Sequence, residues 1–136
     1  MSQPAEFAAL RAAAEAAMRH AYAPYSSFRV GAALRTSDGA IIAGCNVENA
    51  SYPAGCCAER GALAAAVAAG HQRFTHVVVL TEAEKPTPPC GICRQALLEF
   101  SPAMQVISLT TSGAEARWSL ADLLPHPFTP QSLHHA

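Results

Sequence analysis

The chain has 136 residues, nine basic and ten acidic side chains for a net charge of −1, and is 51% hydrophobic but only 14% charged. This length suits one ordinary domain with a true core; no basic stripe offers itself to a polyanion, and no apolar run reaches the roughly 18 residues of a membrane span. The start "MSQPAEFAAL" lacks the charged region and apolar core of a signal peptide.

Residues 4 to 22 read as a helix, with Phe7, Leu10, Ala14, Ala17, Met18 and Ala21 forming one apolar stripe. Glu15 has Arg11 and Arg19 one turn away on the outer face, and Pro24 is expected to stop the helix. "FRVGAALRT" (28–36) reads as a strand, "SDG" (37–39) as a turn and "AIIAGC" (40–45) as the returning, antiparallel strand. Residues 46 to 55 carry Asn, Ser, Pro and Gly and read as loop. A second helix covers 57–69, closed by Gly70. It is apolar all round after Arg60, so it is expected to be a buried central helix. "HVVVL" (76–80) has the continuous apolar run of a strand covered on both faces. Loop follows over 81–89, then a third helix over 90–100, ended by Ser101-Pro102. Strands at 104–110 and 114–120 are too close in sequence to be a parallel pair. One helical turn at 120–124 and an irregular, Pro-rich tail complete the chain.

The order α-β-β-α-β-α-β-β implies two βαβ-like units in a mixed five-stranded sheet with helices on its faces, an α/β fold whose last two strands are antiparallel. Ligands in such folds sit beyond the carboxyl ends of strands, where helices begin. Cys57 and Cys90 each open a helix there, after the second and third strands. The low charge, against about 25% in typical soluble domains, suggests surface buried against copies of the same chain. The alternative is a compositional bias toward alanine.

Five cysteines, an odd number, favour metal or free thiols over a disulfide framework. Cys90-Gly-Ile-Cys93 puts two sulfurs on one helical turn, suited to a metal or a redox disulfide. A closed structural zinc site would draw its fourth ligand from Cys56, Cys45 or His71. Cys57-Ala58-Glu59 shifts the balance by placing an acid two residues after a thiol. A three-ligand zinc site keeps one position open for water, and an acid beside it could carry protons. Three thiolates would leave zinc with a net negative charge. The two helix N-termini and Arg60 are placed to draw charge from the sulfurs.

"C-A-E" followed by "P-C-G-I-C-R-Q" resembles the signature of the zinc-dependent nucleoside and nucleobase deaminases. "YAPYSSFRVGAAL" (22–34), "GCNVENASY" (44–52), "CAER" (57–60), "PCGICRQ" (89–95) and "LLPHPF" (123–128) resemble the small homotetrameric cytidine deaminases. The resemblance implies a three-layer α/β/α, cytidine deaminase-like domain over 1–136, with 129–136 irregular. It implies zinc held by Cys57, Cys90 and Cys93, with Glu59 as proton shuttle and Arg60 behind the thiolates. Cys57 rather than Cys56 fits the C-A-E spacing, and leaves Cys45 and Cys56 as small buried thiols. Asn46 and Glu48 would bind the ribose hydroxyls, the Ala58 backbone the pyrimidine carbonyl, and Phe28 the base. Ala50, Tyr52 and Phe128 would serve a site shared with a neighbouring subunit. The implied activity is hydrolytic deamination of cytidine and 2′-deoxycytidine in pyrimidine salvage, by a cytoplasmic homotetramer with no polynucleotide or membrane partner. Other possibilities are a relative acting on another aminated base or a nucleoside antibiotic, a polynucleotide deaminase, and a non-catalytic zinc or thiol-redox module. Polynucleotide deaminases commonly have a parallel fifth strand, which the short last connection disfavours. The terminal "SLHHA" is expected to be a disordered end rather than a metal site.

Overall fold

Alternate residues of a strand point to opposite faces of a sheet, and here that alternation divides the core in two. On one face Ala33, Val78, Leu80, Ile107 and Leu109 pack against Phe7, Leu10, Ala14 and Met18. On the other, Leu34, Val77, Val79 and Val106 pack against Ala62, Leu63, Ala66, Leu97 and Leu120. The result is a three-layer α/β/α arrangement, seen in a computed structural model that describes residues 5–134, the side chain of residue 6 apart. Its elements are α1 (Ala5–Met18), β1 (Val30–Thr36), β2 (Ile41–Cys45), α2 (Ala58–Ala68), β3 (Phe74–Thr81), α3 (Gly91–Leu98), β4 (Gln105–Thr110), β5 (Glu115–Ser119), α4 (Leu120–Leu123) and α5 (Pro130–Leu133).

The strand order is β2-β1-β3-β4-β5. β1 runs antiparallel to both β2 and β3, β3 runs parallel to β4, and β4 runs antiparallel to β5. Because β2 and β3 flank β1 in the same sense, the chain leaves both at the same end of the sheet. α2 and α3 therefore begin side by side, and this places the site. Among the described residues no helix is long and apolar enough to cross a membrane.

Three expectations need correction. α1 stops at Met18 rather than near residue 22. Residues 19–20 turn so that Tyr22 can pair with the loop after β2: its N–H donates to the Asn46 carbonyl at 3.0 Å, and its carbonyl accepts the Glu48 N–H at 2.8 Å. α2 is not buried all round. Ala58, Glu59, Ala62, Leu63 and Ala66 are buried, but Ala64, Ala65, Val67 and Ala68 face outward. A helix made mostly of alanine has no polar face to reveal which side is wet. The tail forms the helical turn α5, with a reciprocal cap between Thr129 and Ser132. Of the "SLHHA" end, His135 and Ala136 lie outside the described residues, as do residues 1–4 at the other terminus.

Gly44 sets how closely α2 lies on the sheet. A Cβ there would sit 2.4 Å from the Ala62 nitrogen and 2.8 Å from the Ala58 carbonyl oxygen, both of them helix backbone. Gly44→Ala must push the start of α2 off β2. It should lower unfolding stability by about 1–3 kcal/mol, read as a reduced urea midpoint at unchanged slope.

Candidate active site

Cys57 is the N-cap of α2 and Cys90 the N-cap of α3, both in extended conformation, with Cys93 in the first turn of α3. Local chain chemistry holds each one. Before α2, Val47 and Cys56 exchange two backbone hydrogen bonds of 2.9 Å. Before α3, three prolines stiffen the loop over 86–89. The Ser108 hydroxyl, rising from buried β4, donates to the Thr87 carbonyl at 2.8 Å, and Arg94 Nε donates to the Pro89 carbonyl at 2.7 Å.

These constraints bring the Sγ atoms of Cys57, Cys90 and Cys93 within 4.8 Å of one another. Cys57 and Cys90 are 3.8 Å apart. Cys56 turns away, its Sγ 3.5 Å from the Cys57 carbonyl. Cys45 and Cys56 are free and half-buried rather than buried as expected. The expected alternative of a Cys90–Cys93 disulfide is not formed: all five cysteines are free thiols.

The electrostatics of this cluster are set by crowding. A hydrogen bond from the Cys93 thiol, with help from Arg60 and Cys90, holds Cys57 well below the ordinary thiol range. The same hydrogen bond, then burial and the Glu59 carboxylate, pushes Cys93 up. Arg60 Nη2 lies 3.8 Å from Cys57 Sγ, and that contact raises its own pKa. Glu59 is 4% exposed. Burial pushes its carboxyl up to about 7, the negative charge on Cys57 adds to this, and its own backbone N–H and Arg60 oppose it.

A divalent cation fits this donor set. Three sulfurs at such separations cannot all be ionised without positive charge among them, and thiolate is the ligand form. Three protein sulfurs suit zinc with one position left for water or substrate. Arg60 Nε is buried and without a hydrogen-bond partner among the described residues. That cost is tolerated where the guanidinium is committed to a thiolate.

Asn46 and Glu48, expected from the resemblance to meet a sugar, both bond to the segment 25–30 and are already engaged. Asn46 Oδ1 accepts the Val30 N–H and Nδ2 donates to the Phe28 carbonyl, each at 2.8 Å. Glu48 Oε1 accepts the N–H groups of Tyr25 and Ser26 at 3.0 and 3.1 Å, and Oε2 accepts the Ser26 hydroxyl. Those bonds, the hydroxyl foremost, hold the carboxyl below its usual range. Ser26 Oγ also accepts the Phe28 N–H at 3.0 Å. Ser27 between them takes φ 58°, a left-handed conformation uncommon outside glycine. Each of the two side chains keeps spare capacity: the second Nδ2 hydrogen of Asn46 and a free lone pair on Glu48.

A cavity of about 360 Å³ is lined by Tyr25, Ser26, Glu48, Asn49, Tyr52 and Gly55. The cysteines and Glu59 are not among its walls, and Cys90 is exposed. The cavity lies beside Glu48, apart from the sulfur cluster. Ala50 is exposed, and Phe28, Tyr52 and Phe128 are 37%, 77% and 58% exposed. Within one chain these four are not closed around the cluster.

Sequence reasoning passed over Ser26, Arg94, Gln95 and Ser108, each of which holds a site segment in place. The Arg and Gln of "PCGICRQ" were visible as polar residues directly after a ligand. Nothing in the sequence marks Ser108 apart from its place in an apolar strand.

Paired helix starts that carry three sulfurs beside a buried carboxylate define a thiolate metal centre of the deaminase type. A family model described as "Cytidine and deoxycytidylate deaminase zinc-binding region" matches residues 5–110, and the chain belongs to that family. It is 42% identical over 115 residues to a protein named cytidine deaminase from Halalkalibacterium halodurans, spanning 84% of this chain and 87% of the relative. A cytidine deaminase from Sporosarcina psychrophila is 41% identical over 128 residues, 93% of this chain and 94% of the relative. The crystal structure of cytidine deaminase from Burkholderia pseudomallei superposes with a TM-score of 0.86 at 46% identity, covering 94% of this chain and all of that one.

If Arg60 restrains the thiolate charge, Arg60→Ala should weaken zinc binding by about 10–100-fold, read by competition with a chromophoric chelator. Wild-type zinc affinity together with wild-type activity would refute the role.

Proposed function

We propose that this chain hydrolyses cytidine and 2′-deoxycytidine to uridine and 2′-deoxyuridine with release of ammonia, in pyrimidine salvage. The observation that carries the reading is the convergence of Cys57, Cys90 and Cys93 with Glu59 buried two residues beyond the first of them. Zinc held by these three sulfurs would supply a Lewis acid able to bring the pKa of water to about 7. Glu59 does the proton work. A carboxyl with a pKa pushed up to about 7 can both accept and release a proton near neutrality. It would take one proton from the attacking water and pass it to pyrimidine N3 so that C4 becomes electrophilic, then take the second proton from the hydroxyl newly added at C4 and pass it to the exocyclic amine, which leaves as ammonia while the C4 carbonyl forms. Each pair of transfers returns the carboxylate to its starting state.

The remaining residues bind and orient. Ala58 opens α2, and a first-turn N–H has no intrahelical acceptor, so it is free to meet the pyrimidine 2-carbonyl. Asn46 and Glu48 offer their spare donor and acceptor to the sugar hydroxyls, and Phe28 packs on the base. A site with hydroxyl partners disfavours ligands that lack the hydroxyl, because its polar groups are left unpaired.

The assembly we propose is a homotetramer in the cytoplasm, in which Ala50, Tyr52 and Phe128 of one chain complete the site of a neighbour. The exposed apolar side chains Tyr22, Tyr25, Tyr52, Ile92 and Phe128, the exposed alanine face of α2 and the low content of charged residues support this. A solution mass of four times the 14.2 kDa chain is expected by sedimentation; a stable monomer with full activity would overturn it.

The zinc-loaded protein should turn over cytidine in an ultraviolet assay and act on free cytosine at least about 10²-fold less efficiently. Glu59→Gln should keep its zinc and lose about 10²–10⁴-fold in turnover. Retained turnover in that variant would end the assignment.

A further inference from the structure

Arg94 and Gln95 take no part in the chemistry above, although both follow directly on the ligand Cys93. Both reach the same distant segment, 123–128. Arg94 donates through Nη1 to the Leu123 carbonyl at 2.8 Å, while its Nε donates to the Pro89 carbonyl at 2.7 Å, next to Cys90. Gln95 meets the Phe128 main chain from both sides. Its Nε2 donates to the Phe128 carbonyl at 2.8 Å, and its Oε1 accepts the Phe128 N–H at 3.4 Å.

Between these two anchors lie Pro125 and Pro127. Neither has an N–H to donate, and each has its φ locked by the ring. The segment is therefore a stiff strap held by side chains at its two ends. Phe128 follows the second proline, and its ring is 58% exposed. Little packing within the chain fixes the ring, so the clamp on its peptide groups is what its own chain contributes to its position.

We infer that Gln95 is a positioning residue for substrate binding, acting through Phe128; this rests on the reading above that Phe128 completes the site of a neighbouring chain, where its ring would stack on the pyrimidine. The amide clamp fixes the peptide from which the ring projects. Arg94, holding the far end of the strap and the loop before Cys90 with one guanidinium, makes strap and metal loop a single body. Without the clamp the ring must be ordered each time substrate binds, and that cost falls on affinity. Phe128 exchanges no proton, so the chemical step is left nearly untouched.

The test is a mutant cycle on the zinc-loaded protein. Gln95→Met keeps the side-chain length and removes the amide. It should raise KM for cytidine by about three- to tenfold, the scale of one lost aromatic contact, with kcat within about twofold and zinc content unchanged. Amide exchange at Phe128 should speed up in the same variant. In a Phe128→Ala background, Gln95→Met should add nothing further to KM, since residues acting through one contact are not additive. Multiplying effects in the double variant, or a loss of zinc and kcat in Gln95→Met, would overturn the inference. An unchanged KM in Gln95→Met alongside a raised one in Phe128→Ala would sink the positioning role alone. An unchanged KM in Phe128→Ala would sink the stacking reading beneath it.

Discussion

Three sulfurs within 4.8 Å of one another cannot all carry charge unless something positive stands among them, and the rest of the structure answers to that demand. Two helix N-termini are aimed at the cluster, and Arg60 lies against Cys57. A zinc ion supplies what these cannot. The sheet order makes the meeting possible, because β2 and β3 flank β1 in the same direction and so release their helices at one end. Gly44 then allows α2 to lie in backbone contact with β2.

The same close packing buries Glu59. A carboxylate at that position would normally be solvated and acidic. Seated against the sheet with a thiolate nearby, it is pushed toward neutrality. Burial thus shields the carboxyl from water and raises its affinity for the proton, both of which suit the proton carrier proposed for this position.

The nucleoside side is built on a different economy. Asn46 and Glu48 spend most of their hydrogen-bonding capacity on the segment 25–30 and so fix Phe28 beside them. The residues proposed to bind the sugar are therefore also those that shape the loop, and a bound nucleoside would complete a network that already exists. The aromatic residues Tyr52 and Phe128 stand outside this network and face outward. In the proposed assembly a second copy of the chain covers them.

Much of this was legible in the sequence. The strands, the hairpin before the final turn, the two cysteine-led helix starts and the Cys57–Glu59 spacing are local patterns, readable because helix caps and strand periods repeat over a few residues. The resemblance of five short stretches supplied the family. The end of α1 was misjudged because Tyr22 pairs with residues 46–48, a contact no local period records. The wet side of α2 was misjudged because alanine is at home on either side of a surface. By itself, then, the sequence determined which groups could do chemistry and the kind and order of the main elements. Only the tertiary structure decided that Ser26 holds Glu48, that Ser108 and Arg94 hold the proline loop, and that Gln95 clasps Phe128. Those pairs are far apart along the chain, and their meeting depends on strand order and helix seating, which hydrophobic period does not encode.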